Sequence, residues 1–169
     1  LNQQYNLGIS VTQMGIPLII IYITADFGSV GGGILSSVLI KRGMAAVKAR
    51  LVSMAMCAVA IIGVVLAAGS SNLWMAVGAI ALALGAHQAW TANVWSMVMD
   101  YTPKHMMGTV FGFGGMCAAI GGMFMPQFVG YVLTVTNNNY TVLFTMIPAM
   151  YFIALVWMYF MAPRKIPQV

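Results

Sequence analysis

The sequence predicts an all-α bundle of transmembrane helices, a polytopic membrane domain with five spans. Of the 169 residues, 62% are apolar and only 5% are charged, whereas a soluble domain carries about 25% charged residues. The apolar residues form long runs, and a run of roughly 20 residues crosses a bilayer. The seven Lys and Arg residues lie between those runs, so we expect lipid to cover most of the surface.

Five segments are apolar and long enough to be spans. We name them spans A to E, and their predicted bounds are about 14–40, 51–68, 73–99, 107–135 and 142–161. The gaps between them are short and polar, as connections at a membrane surface are expected to be. Prolines inside spans D and E, Pro126 and Pro148, remove backbone hydrogen bonds and predict kinks.

The positive charges fall on one membrane face if all five spans cross. Four lie between spans A and B, one lies between C and D, and two lie in the C-terminal tail. Because Lys and Arg are enriched in cytoplasmic loops, we expect the N-terminal end outside and the C-terminal end in the cytoplasm. The basic residues form no stripe with interleaved aromatic residues, so the net charge of +5 does not indicate a nucleic-acid partner.

The chain begins at Leu1 without an initiator Met or a basic leader, and we expect it to be a partial sequence. Cys57 and Cys117 lie inside apolar runs without metal-ligand spacing, which predicts no metal site and no cofactor. We find no nucleophile with a neighbouring base and no phosphate loop, so the sequence predicts no catalytic residues and a protein that is not an enzyme.

Glycine is concentrated in spans A and D. Small residues allow helix backbones to approach closely in lipid. We therefore expect A and D to be helices that pack or slide closely against their neighbours, and B and E to be peripheral. Their separation by three spans is the spacing that a three-helix repeat would produce, a common transporter layout.

Asp26 lies near the middle of span A, about 22 Å from Lys41 at the rise of an α-helix. An ionised carboxylate that faces lipid at this depth is costly. Two interpretations remain open: a residue for coupling or gating, or a hydrogen-bond acceptor between helices. At the end of span C, Asp100 and Lys104 are expected to pair with each other or to cap helix ends.

Span C holds the densest group of polar and aromatic residues in the chain. A polar and aromatic face in mid-membrane suits a water-filled binding cavity. Hydrogen bonding between helices is the alternative interpretation. The candidate substrate-binding residues are His87, Gln88, Trp90 and Asn93. No Lys or Arg lies inside a span, so the counter-charge for an anionic substrate is expected elsewhere.

Residues 26–43, DFGSVGGGILSSVLIKRG, resemble the eighth helix and the following loop of major facilitator superfamily transporters. They are most similar to the anion:cation symporter branch, which includes bacterial hexuronate and sugar-acid permeases. Residues 86–93, AHQAWTAN, resemble the tenth helix of the hexuronate group. Residues 100–104 and 108–122 resemble the next loop and the eleventh helix. Where the superfamily loop has an Asp, this chain has Ser36 and Ser37.

The resemblance implies that spans A to E are helices eight to twelve, a partial C-terminal half of a major facilitator fold. It implies a proton symporter that imports hexuronates or related sugar acids by alternating access across the bacterial cytoplasmic membrane. The implied partners are the organic anion, the proton, the lipid bilayer and the N-terminal half of the same protein. A permease for another organic anion, and a membrane scaffold or sensor that does not transport, are the alternatives.

Overall fold

The computed structural model of the chain describes residues 15–65 and 72–162. Its five long helices are α1 (Gly15–Lys41), α2 (Ala46–Ile61), α3 (Leu73–Tyr101), α4 (Met107–Val135) and α5 (Tyr140–Met161). Short 3₁₀ turns at Ile62–Val64 and Lys104–Met106 extend α2 and precede α4. All five helices are long and apolar enough to cross a membrane. The described residues contain no strand, and the predicted all-α transmembrane bundle is confirmed.

The helices follow spans A to E in order, and four of the five agree with the predicted bounds to within two residues. The exception is α2, which begins at Ala46 rather than near Leu51. Lys48 and Arg50 therefore belong to the helix and not to the loop, because both are good helix formers with long side chains that reach polar surroundings. The expected start of span A at Met14, the end of span B at Ala68 and the basic tail lie outside the described residues.

Glycine ends α1 through a Schellman motif. Gly43 has a φ of 92°, a conformation that costs glycine nothing. The Met44 N–H donates to the Leu39 carbonyl at 3.2 Å, and the Gly43 N–H donates to the Ile40 carbonyl at 2.9 Å. These bonds satisfy carbonyls that have no hydrogen-bond partner within the helix because they lie in its last turn.

Three consecutive asparagines end α4 and begin α5. Asn137 and Asn138 adopt φ angles of 52° and 60°, which asparagine tolerates better than most residues. The Asn138 N–H donates to the Leu133 carbonyl at 2.7 Å. The side chain of Asn139 then accepts a hydrogen bond from the Thr141 N–H at 3.0 Å and caps α5. A polar gap of four residues thus turns the chain back into the membrane.

Helices α1 and α3 pack at a distance that only small residues permit. A Cβ atom added to Gly32 would lie 2.6 Å from the Cβ of Ala89, and one added to Gly28 would overlap the backbone of Gly85. At the same contact the side chain of Asn93, which is fully buried, donates to the Gly32 carbonyl at 3.0 Å. The prediction that span A packs closely through its glycines is confirmed at Gly28 and Gly32, while a Cβ added to Gly31 or Gly33 would meet no atom within 4 Å.

Helix α3 also packs against α2, and α5 covers part of that contact. The main core cluster joins α2 and α3 through Met54, Cys57, Ala58, Ile61, Ala86, Ala89 and Trp90. Residues of α5, Tyr151, Leu155 and Met158, pack against it. The expectation that span B is peripheral is therefore wrong. With four residues between α1 and α2, α2 lies beside the α1–α3 pair and shares its core.

Helix α4 does not pack as its glycine content predicted. None of its residues is buried, and a Cβ added at six of its seven glycines would meet no atom within 4 Å. Its contact with α3 is made by aromatic rings, since Trp95 stacks on Phe111 with centroids 4.8 Å apart. The prediction of a closely packed span D is wrong for the described bundle. Small residues allow another helix to approach closely, but their presence alone does not place a helix against that face.

Replacing Gly32 with Ala should destabilise the bundle by about 1–3 kcal/mol, the usual cost of overpacking a tight contact. The added methyl group would collide with the Ala89 backbone. Gly31→Ala is the matched control on the same helix, where a Cβ meets no atom within 4 Å. The free energy of unfolding, measured by circular dichroism during denaturant titration in detergent micelles, checks the difference. Equal stability of the two variants would contradict the close α1–α3 contact.

Candidate functional site

A cavity of about 610 Å³ lies between α2, α3 and α5 and touches α4 at one residue. Its volume is in the range of small-molecule sites, about 300–1,000 Å³. The lining residues are Ile61 and Val64 of α2; Ile80, Ala83, Leu84, His87 and Trp90 of α3; Met125 of α4; and Phe144, Ile147, Met150, Tyr151 and Ala154 of α5.

The inner end of the cavity lies at the middle of the spans. His87 is fourteen residues from each end of α3, or about 21 Å along a helix. Tyr151 is the twelfth of the 22 residues of α5. The remaining lining residues of α3 and α5 extend mainly from this level toward the N-terminal ends of both helices. The gaps that precede these two helices contain no Lys or Arg.

A histidine, a tyrosine and a tryptophan form the polar part of the lining. Nδ1 of His87 and the hydroxyl of Tyr151 are hydrogen-bonded. The Trp90 ring meets the Tyr151 ring edge to face, with centroids 5.1 Å apart and planes at 87°. Such perpendicular contacts add about 0.5–1.5 kcal/mol beyond area burial. The three side chains therefore connect α3 to α5 and fix the shape of the inner end of the cavity.

The rest of the lining is apolar. Besides His87, Trp90 and Tyr151, it consists of aliphatic, methionine and phenylalanine side chains, and it contains no Asp, Glu, Lys or Arg. A ligand at this site therefore meets one hydrogen-bonding pair and several apolar walls. Sites of this composition bind by burying apolar surface and are oriented by a few polar groups.

The structure separates the four residues that the sequence suggested for substrate binding. His87 and Trp90 line the cavity. Asn93 lies between α1 and α3, where its amide donates to the carbonyls of Gly32 and Ala89 at 3.0 and 2.9 Å. Gln88 is half-buried and is not a lining residue. The position of Asn93 is that of a contact between helices, the alternative interpretation for span C.

Sequence reasoning missed Tyr151, the partner of His87. A signal was present, since the other two tyrosines of α5, Tyr140 and Tyr159, lie at or near the ends of the helix. Tyrosines are enriched at membrane interfaces. A tyrosine at the centre of a span is therefore the unusual one, although only the packing of α5 against α3 shows what it contacts.

Asp26 lies on the outer face of α1, outside the cavity, and its side chain is exposed. Its neighbours one turn away on the helix, Tyr22 and Val30, are 64% and 62% exposed. Within the described ranges 15–65 and 72–162, the ion pair and hydrogen bonds found include none to Asp26. A carboxylate among apolar residues at this depth requires a polar neighbour or a proton.

An ion pair lies at the end of the bundle away from which the cavity extends. Nε of Arg50 lies 2.6 Å from Oδ2 of Asp100, and its Nη2 lies 3.2 Å from Oδ1. Its Nη1 also lies 3.4 Å from the hydroxyl of the buried Ser36. One guanidinium thus connects α1, α2 and α3. The expected pairing of Asp100 with Lys104 is not formed, because Arg50 reaches across from α2 while Lys104 is exposed.

No protein-family model matches the chain, and no curated protein or solved structure shows detectable similarity to it. Among the described residues there is also no group of three His, Cys, Asp or Glu side chains that could hold a metal ion. The assignment of a function therefore depends on the cavity and its polar contacts.

Replacing Arg50 with Ala should lower the free energy of unfolding by about 1.5–3 kcal/mol, because it removes hydrogen bonds to a charged group. The Arg50 and Asp100 side chains are only 14% and 26% exposed, so solvent screens the pair in part. Lys48→Ala, at an exposed position of the same helix, is the control and should change little. In a double-mutant cycle measured in micelles, removing Asp100 as well should cost less than the sum of the single changes. Strict additivity would rule out the coupling.

Proposed function

We propose that this chain is part of a secondary active transporter for a small organic acid. The observation that carries the proposal is the cavity, which is of small-molecule size and ends at a His–Tyr pair in mid-membrane. Secondary transporters bind their substrates near the bilayer midplane. Ionisable residues inside a membrane are costly and commonly functional, which favours this site over an accidental gap between helices.

The cavity and the ion pair together support an alternating-access mechanism. The cavity runs from the middle of the bundle toward one end, while Arg50, Asp100 and Ser36 connect three helices at the other end. If the basic residues face the cytoplasm, as the positive-inside rule favours, the cavity extends toward the outer face of the membrane. We interpret this arrangement as an outward-facing state whose cytoplasmic end is closed.

The sequence resemblance makes hexuronates and related sugar acids the first substrates to test, with a proton as the coupling ion and a bacterial cytoplasmic membrane as the location. In that proposal the chain is the C-terminal part of the transporter, and the partner N-terminal half supplies the positive charge that the cavity lining lacks. Asp26 is the candidate for coupling or gating, since it is the acidic residue in mid-membrane.

Uptake by the full-length protein in proteoliposomes tests the proposed function. The panel contains radiolabelled hexuronates and aromatic monocarboxylates, with an inward proton gradient. His87→Ala should raise the KM of the acid that accumulates about tenfold, the effect of about 1.4 kcal/mol of lost binding. His105→Ala, an exposed histidine between α3 and α4, should leave the KM unchanged. Accumulation of no acid, or equal KM values in the two variants, would count against the proposal.

Replacing Asp26 with Asn tests the coupling role separately. Asn keeps the size of the side chain but cannot ionise, so gradient-driven accumulation should be lost while exchange of labelled for unlabelled substrate continues. Asp26→Glu retains an ionisable carboxyl and should retain accumulation. If Asp26→Asn still accumulates substrate against its gradient, the carboxylate has no role in coupling.

A further inference from the structure

The hydrogen-bonding capacity of the His87–Tyr151 pair limits what the cavity can bind. If Nδ1 carries the imidazole proton, it donates to the tyrosine oxygen, which leaves the hydroxyl proton and Nε2 for a ligand. If Nε2 carries the proton, Nδ1 accepts from the hydroxyl, and the ring N–H and the tyrosine oxygen remain. In both tautomers the pair has one donor and at least one acceptor left.

The remaining walls cannot satisfy a ligand with many polar groups. From the His87–Tyr151 pair toward the N-terminal ends of α3 and α5, the cavity is lined by aliphatic, Met and Phe side chains from four helices. Each hydroxyl of a sugar acid that entered this part would lose its hydrogen bonds to water without replacement. A fully charged head group would also find no Lys or Arg among the lining residues of this chain, so its charge would have to be paired from outside these helices, whereas a neutral head group needs no such partner.

We propose that the cavity binds a compact aromatic molecule with one neutral head group that both donates and accepts a hydrogen bond, such as an aromatic carboxylic acid in its protonated form. The head group bonds to His87 and Tyr151, and the ring lies among the apolar walls near Trp90 and Phe144. This inference rests on the proposed function and narrows its substrate class away from the sugar acids that the sequence resemblance suggests.

An acid bound in this form carries its own proton. The carboxylic acid enters the cavity with its O–H bond intact and loses that proton to water on the other side of the membrane. One proton then moves with each substrate molecule without a transfer to a side chain of the cavity lining. This arrangement is consistent with a lining whose titratable groups are His87 and Tyr151.

Binding of four probes to the full-length protein in micelles, measured by isothermal titration calorimetry at neutral pH, tests the inference. Benzamide is the neutral probe with a donor and an acceptor, and benzoate is its acid counterpart. Benzenesulfonate keeps the ring but is always charged, and glucuronate keeps the carboxyl group but replaces the ring with hydroxyls. Benzamide should bind most tightly, and benzenesulfonate and glucuronate at least about tenfold more weakly, the equivalent of one lost hydrogen bond.

Variants locate the binding. Tyr151→Phe and His87→Ala should each weaken benzamide about tenfold. Tyr159→Phe, at a position of α5 that is 63% exposed, should leave the affinity unchanged. Tyr151→Phe keeps the ring that packs on Trp90, and unchanged far-ultraviolet circular dichroism would show that the bundle is intact.

The outcomes separate this inference from the proposed function. Glucuronate uptake that depends on His87, without binding of benzamide, would overturn the inference and leave the transporter proposal standing. Benzamide binding that depends on Tyr151, without uptake of any acid, would support the site and contradict transport. Quenching of Trp90 by brominated lipid chains that none of the probes displaces would show that an acyl chain fills the cavity and would overturn the inference.

Discussion

The close contact between α1 and α3 is the constraint on which the rest of the bundle depends. In lipid the hydrophobic effect does not drive helices together, so association requires dense packing and hydrogen bonds between helices. Gly28 and Gly32 bring the α1 backbone against Gly85 and Ala89, and the Asn93 amide bonds to an α1 carbonyl at the same level. Because Gly85, Ala89 and Asn93 contact α1, the neighbouring faces of α3 are the ones that contact α2 and α5.

That division places polar groups of span C at two separate locations. Asn93 is used for helix packing, and its second polar atom, Oδ1, is also buried, without a hydrogen-bond partner among the described residues. His87 and Trp90 lie on the side that faces α5, where Tyr151 completes the polar end of the cavity. The two interpretations of the cluster, helix packing and cavity lining, thus apply to different residues of one helix.

The polar contacts between helices lie at two levels along the bundle. At mid-depth the His87–Tyr151 bond joins α3 to α5, and at the basic end Arg50 joins α1, α2 and α3. In the proposed alternating-access mechanism, opening the basic end would require separation of Arg50 from Asp100, whereas opening the other end would not. Nη1 of Arg50 also lies 3.4 Å from the Ser36 hydroxyl, which is uncharged and therefore a weaker acceptor than the Asp100 carboxylate.

Composition and local chemistry were enough to predict the five spans, because a helix that crosses lipid needs about 20 apolar residues whatever its neighbours. The polar gaps likewise predicted the helix ends at Gly43 and at Asn137–Asn139, where turn chemistry is local. Lateral packing was decided only in the tertiary structure. Glycine content did not distinguish α1, which meets α3, from α4, which has no buried residue. Neither Tyr151 as the partner of His87 nor Arg50 as the partner of Asp100 is visible in the sequence, since each contact joins residues at least fifty positions apart.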